Sequence, residues 1–123
     1  MEDTRERVIR LRRQFQSLVE SRTAIERRML RSREYLEGSM ATIEHKNKGG
    51  TSTPYYYISC TRGEGRTALY VRRKDLARAR KLVGNWQDFK RDIDRFEALN
   101  QEMARIARQI VAFQTVEDVA NDQ

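Results

Sequence analysis

Apolar residues recur through the first third of the chain at Val8, Leu11, Phe15, Leu18, Ile25, Met29 and Leu36. The steps alternate between three and four residues, and two positions of the series are polar, Arg22 and Ser32. That is a heptad seam, the pattern of a helix packed lengthwise against another. Ile9, Val19 and Leu30 widen the stripe on one flank, which suits more than one neighbour. Neither Gly nor Pro interrupts residues 3–37. Asp3 or Thr4 can cap the start, and Glu6 lies in the first turn, where the helix dipole favours an acid. Gly38 reads as the residue that ends the helix near Glu37. Arg22 has two readings: a polar layer that fixes register, or a long basic side chain snorkelling from the edge of the seam.

The period then falls to two. Residues 39–46, SMATIEHK, alternate weakly and predict a short strand. Asn47 to Thr53 is a Gly-Gly loop, and Pro54 suits a strand's first position, where its missing N–H costs no ladder bond. Tyr55 to Thr61 is aromatic and β-branched, a strand by propensity. Arg62-Gly63-Glu64-Gly65-Arg66 is a hairpin loop, and Thr67 to Arg72 the return strand. Alternation puts Tyr56, Ile58, Cys60, Leu69 and Val71 on a face packed against helix. Tyr55, Tyr57, Ser59, Tyr70 and Arg72 then share the open face. Such tyrosines can stack on a ligand, or they can pack on a helix or another subunit with the hydroxyl at the rim.

A second seam runs through Leu76, Ala79, Val83, Trp86, Phe89, Ile93, Phe96, Leu99, Met103, Ile106, Ile110 and Phe113. Its phase shifts between Trp86 and Phe89, which predicts a stammer in a coiled coil. These two aromatics read as core where sheet and coil join. Gly84 lies inside this helix, where it allows close packing or a slight bend. Residues 114–123 lose the seam and read as a flexible tail. The predicted fold class is α+β, ordered α-β-β-β-α. Two long helices, 3–37 and 74–113, form an antiparallel coiled-coil hairpin. A three-stranded antiparallel sheet, 39–72, is inserted between them, and 1–113 is a single domain.

Composition adds partners to this picture. Net charge is +7 and the pI about 10.0. Residues 1–37 carry net +3, residues 38–75 net +4 and residues 76–123 net zero. The excess therefore concentrates on the sheet and the adjoining helix start. This favours a phosphate-contacting head over a uniformly basic surface. The candidate nucleic-acid contacts are Lys46, Lys48, Tyr55, Tyr57, Arg62, Arg66, Tyr70, Arg72, Arg73, Lys74, Arg78 and Lys81. Cys60 is the sole cysteine and His45 the sole histidine. Cys60 falls on the inner face without a partnered base, which is the pattern of inert core. His45 has no ligand-spaced partners and reads as an ordinary surface residue. No constellation for nucleophilic, acid–base, phosphate-loop or metal chemistry is visible, so the expectation is a non-enzyme without cofactor. No apolar run reaches membrane-spanning length, and one cysteine gives no sign of secretion. A cytoplasmic protein with no membrane partner is expected.

Residues 54–57 (Pro-Tyr-Tyr-Tyr), the Gly63 to Gly65 turn, Tyr70-Val71, Lys74 to Leu76 and Asn85-Trp86 together form a pattern over roughly residues 38–103. It resembles an uncharacterised bacterial family encoded beside transposases and other mobile elements. Members carry a Cys-rich segment before the Tyr strand; here Glu44 to Gly50 stands in that place, so no metal role carries over. The Tyr strand, Gly turn, basic return strand and following helix also look similar to the arm-site DNA-binding domain of some tyrosine recombinases, a likeness of topology alone. The resemblance implies a mobile-element setting and no particular activity; the basic, Tyr-bearing sheet supplies the expectation of an accessory protein that contacts nucleic acid, DNA first. The resemblance also implies a transposase or other mobile-element protein as a possible partner, while the helices suggest a homodimer. The alternative is a coiled-coil adaptor whose sheet binds a protein.

Overall fold

The computed structural model describes residues 2–62 and 65–116. Gly63 and Glu64 of the expected hairpin loop, the tail from 117 onward and the side chain of Arg62 lie outside the described residues. The chain is α+β. Helix α1 (Thr4–Met29) is followed by strands β1 (Ser39–Lys46), β2 (Ser52–Arg62) and β3 (Gly65–Val71), a 3-10 turn (Arg73–Asp75) and helix α2 (Leu76–Gln114). Contacts divide it into two units, 1–31 with 92–123, and 32–91. Helix α2 contributes to both.

In the first unit a capping box starts α1. The Glu6 N–H donates to Asp3 Oδ1 at 2.7 Å, and the Asp3 N–H donates to Glu6 Oε2 at 3.3 Å. Val8, Leu11 and Ile25 from α1 are buried, as are Leu99, Met103 and Ile106 from α2. These are seam positions, and burying each such side chain is worth roughly 1.5–3 kcal/mol. Polar pairs run in opposite chain order: Arg12 with Gln114, Arg22 with Asn100, Arg28 with Asp92. The two helical segments therefore lie antiparallel. Arg22 donates to Asn100 Oδ1 at 3.1 Å from a half-buried position and lies 3.5 Å from Glu26.

The first helix stops eight residues before the expected Glu37. Leu30 is its C-cap and 84% exposed. Residues 32–37 are irregular because other partners take them up. Asn85 Nδ2 donates to the Glu34 carbonyl at 3.2 Å, the Leu36 N–H to the Leu82 carbonyl at 3.2 Å, and Tyr35 packs on Phe89 with ring centroids 5.2 Å apart. Gly38 is consequently not a helix cap. Its φ is +144°, and a Cβ there would stand 2.6 Å from the Ser59 carbonyl oxygen and 2.8 Å from Ile58 Cγ2. Only glycine fits this entry into β1.

The second unit is an antiparallel sheet of order β1-β2-β3 with its inner face on the start of α2. Ile58, Val71, Ala79 and Val83 form the buried core, with Leu36, Met40, Tyr56 and Leu76 packed on it. Cys60 is buried too. The expected inner face is the one observed. Gly84 is not a close-packing site: a Cβ there would meet nothing within 4 Å.

Candidate functional site

Register fixes what stands on the open face. Tyr57 pairs with Tyr70, Tyr55 with Ile43, Ala41 with Tyr57, and Thr61 with Arg66. Strand alternation then brings His45 to the same side as Tyr55. The rings meet. His45 lies edge-on to Tyr55 at 4.4 Å, Tyr55 is 6.1 Å from Tyr70, and Tyr57 is 5.7 Å from Tyr70. The tyrosine pairs are tilted at 45° and 64°, so they do not cover one another as a parallel stack would. Tyr70 is 56% exposed and Ile43 50%. Among the described residues, no acidic side chain shares this alternation: Glu44 falls on the other side of β1.

The cations fall into separate places. Arg66 shares the open-face alternation and lies at the β2–β3 hairpin end. Extending the β2–β3 register by one residue sets Arg72 opposite Tyr55 at the other end. Arg72 is 3.0 Å from Asp75, an exposed pair of the kind that contributes little and exchanges readily. Arg73 and Lys74 are exposed in the 3-10 turn that follows, with no carboxylate within 4 Å among the described residues. Lys48 is exposed in the β1–β2 turn near the same end of the sheet. These residues, with Tyr55, Tyr57 and Tyr70, are the expected contacts that the sheet brings together.

Three others are not brought together with them. Lys46 has the parity of Met40 and Thr42, so it stands on the helix side of β1. Lys81 lies two residues from both buried Ala79 and Val83, which turns it away from the sheet. Arg78 is drawn toward residues 32–37, where it pairs with Glu34 at 3.0 Å. Arg62 is in β2, with its side chain outside the described residues.

Two side chains escape sequence reading. His45 joins the ring cluster, a position visible only once β1 is registered against β2. Arg80 lies over the Tyr56 ring at 5.4 Å, a cation–π contact on the helix side. No group of three or more His, Cys, Asp or Glu among the described residues could hold a metal ion. No helix among them is long and apolar enough to cross a membrane.

No family model, curated protein or solved structure matches the chain. The site's own geometry and charge therefore carry the functional reading.

Proposed function

We propose that the protein is a non-enzymatic nucleic-acid-binding accessory protein of a mobile element, and that it takes single-stranded DNA across the open face of its sheet. The observation that carries this reading is the continuous ring cluster of His45, Tyr55, Tyr57 and Tyr70 on a face to which the described strand residues bring no acidic side chain, flanked by Arg66 and Arg72. Tilted rings offer stacking surface to unpaired bases, and cations at both ends of the face meet phosphates. Arg73, Lys74 and Lys48 extend the basic end. The mobile-element setting, with a transposase or related protein as partner, rests on the family resemblance.

The helices supply the second half of the proposal. Segments 4–29 and 92–114 form an antiparallel coiled-coil hairpin that pairs with a second copy. Support comes from buried residues at heptad positions beside apolar side chains left in solvent, Ile9 at 42% and Val111 at 66% exposure. Sedimentation equilibrium at twice the chain mass of 14.6 kDa is the expected result.

Fluorescence anisotropy with a labelled oligothymidylate and a duplex of equal length tests the binding. The single strand should bind more tightly. Tyr57→Ala and Tyr70→Ala should each cost about 1–3 kcal/mol, the scale of one base stack. Absence of binding at low salt, where phosphate contacts are strongest, would sink the proposal.

A further inference from the structure

Strand β3 is an edge of the sheet. Its outer backbone groups have no backbone partner among the described residues. On the helix side this edge borders a cavity of about 400 Å³ between β3 and α2. The floor is apolar, from Leu36, Leu69, Val71 and Leu82, and the rim carries Arg72, Asp75 and Arg78. A free strand edge beside an apolar groove is what strand-addition recognition needs. Main-chain bonds supply affinity, and alternate side chains enter the groove.

Charge selects among occupants. Each rim guanidinium has a carboxylate beside it, Arg72 with Asp75 and Arg78 with Glu34, and the excess positive charge at this edge comes from Arg73 and Lys74, which follow directly on Arg72. A second copy docked here through its own sheet would bring the basic segment 38–75, net +4, against this edge. An acidic segment meets no such repulsion. The guanidiniums are held in exposed pairs, Arg72 with Asp75 and Arg78 with Glu34, and Arg78 and Glu34 are 72% and 76% exposed. Such pairs cost little to exchange for an incoming carboxylate.

We propose that an extended acidic peptide segment of a partner protein adds to β3 as a fourth strand, with an apolar side chain in the β3–α2 groove and a carboxylate on Arg72 or Arg78. Residues i and i+2 of an extended chain share a face, so the recognised pattern is an apolar residue followed two positions later by Asp or Glu. The groove lies on the helix side and edge of the sheet, away from the His45, Tyr55 and Tyr57 rings, while Tyr70 and Arg72, which also line it, are shared with the open face.

The probe is a fluorescein-labelled synthetic peptide, Ser-Thr-Val-Thr-Leu-Thr-Glu-Thr-Ser, titrated into the full chain at low salt. A control peptide carries Lys in place of Glu. Saturable binding is expected for the Glu peptide, at least tenfold tighter than for the control. Amide hydrogen exchange in β3 should slow on binding. Arg78→Glu, at an exposed position and checked for fold by circular dichroism, should weaken the Glu peptide at least tenfold and improve the Lys peptide. Tyr57→Ala should leave both affinities unchanged. Failure of the Glu peptide to bind, unchanged exchange in β3 of the unmodified protein, or indifference to the charge swap would each overturn the assignment.

Discussion

Two glycines that look alike in sequence have opposite physical roles. Gly38 sits at φ +144°, with backbone and side-chain atoms of β2 where a Cβ would go. Gly84 sits inside α2 with open space at that point. Gly38→Ala is therefore expected to destabilise by on the order of 1–3 kcal/mol, through strain and displacement of β2. Gly84→Ala is expected to stabilise by up to about 1 kcal/mol, because Ala loses less backbone entropy in a helix. Urea unfolding of the two variants checks both signs. Arg22 likewise takes its place from its partners. It donates to Asn100 across the helix pair and also lies 3.5 Å from Glu26 on its own helix, with its side chain 33% exposed, so it combines a cross-helix contact with a solvent-side one.

Among the elements, α1 ends at Met29. Residues 34–36 make their hydrogen bonds and ring contacts with α2 instead of extending the helix. The seam shift between Trp86 and Phe89 falls close to residue 91, where α2 passes from one contact unit to the other. The phase change thus marks a change of partners along one helix. The 3-10 turn after β3 concentrates Arg72, Arg73 and Lys74. Reversing all three to Glu should weaken oligothymidylate binding and flatten its salt dependence. The log–log slope should fall by about two, near 0.7 for each phosphate of a single strand that is no longer neutralised. Affinities measured across a salt series give that slope, and an unchanged slope would exclude the cluster from phosphate binding.

At the scale of the whole molecule, the two contact units have separate cores, one around Ile58 and the other including Ile106. Removing a buried aliphatic group costs about 2–5 kcal/mol. Ile58→Ala should therefore raise native-state amide exchange throughout 32–91 while leaving the α1 amides at their original rates. Ile106→Ala should do the reverse. Exchange that rises equally in both units in either variant would show one cooperative body instead. Charge follows the same division: the net +4 of residues 38–75 lies within the sheet unit.

Much of this is legible in the sequence. Periods of three-to-four and two give the element order, because a helix and a strand repeat their faces at those intervals. The division of β2 into Tyr56, Ile58 and Cys60 against Tyr55 and Tyr57 follows from the same alternation. Local chemistry also places the Asp3 cap. What sequence could not give was everything that depends on a distant partner. The end of α1 hinges on Glu34, Tyr35 and Leu36 meeting α2, and the role of Gly38 on β2 passing close by. Among the candidate cations, linear clustering groups Lys46, Arg78 and Lys81 with Arg72, although strand parity, helix rotation and the Glu34 pair set them apart. His45 joins the ring cluster only through strand pairing. Sequence determined the faces of each element, since these follow from local geometry. Tertiary structure decided which faces and ends meet, since that depends on register and packing between residues far apart in the chain.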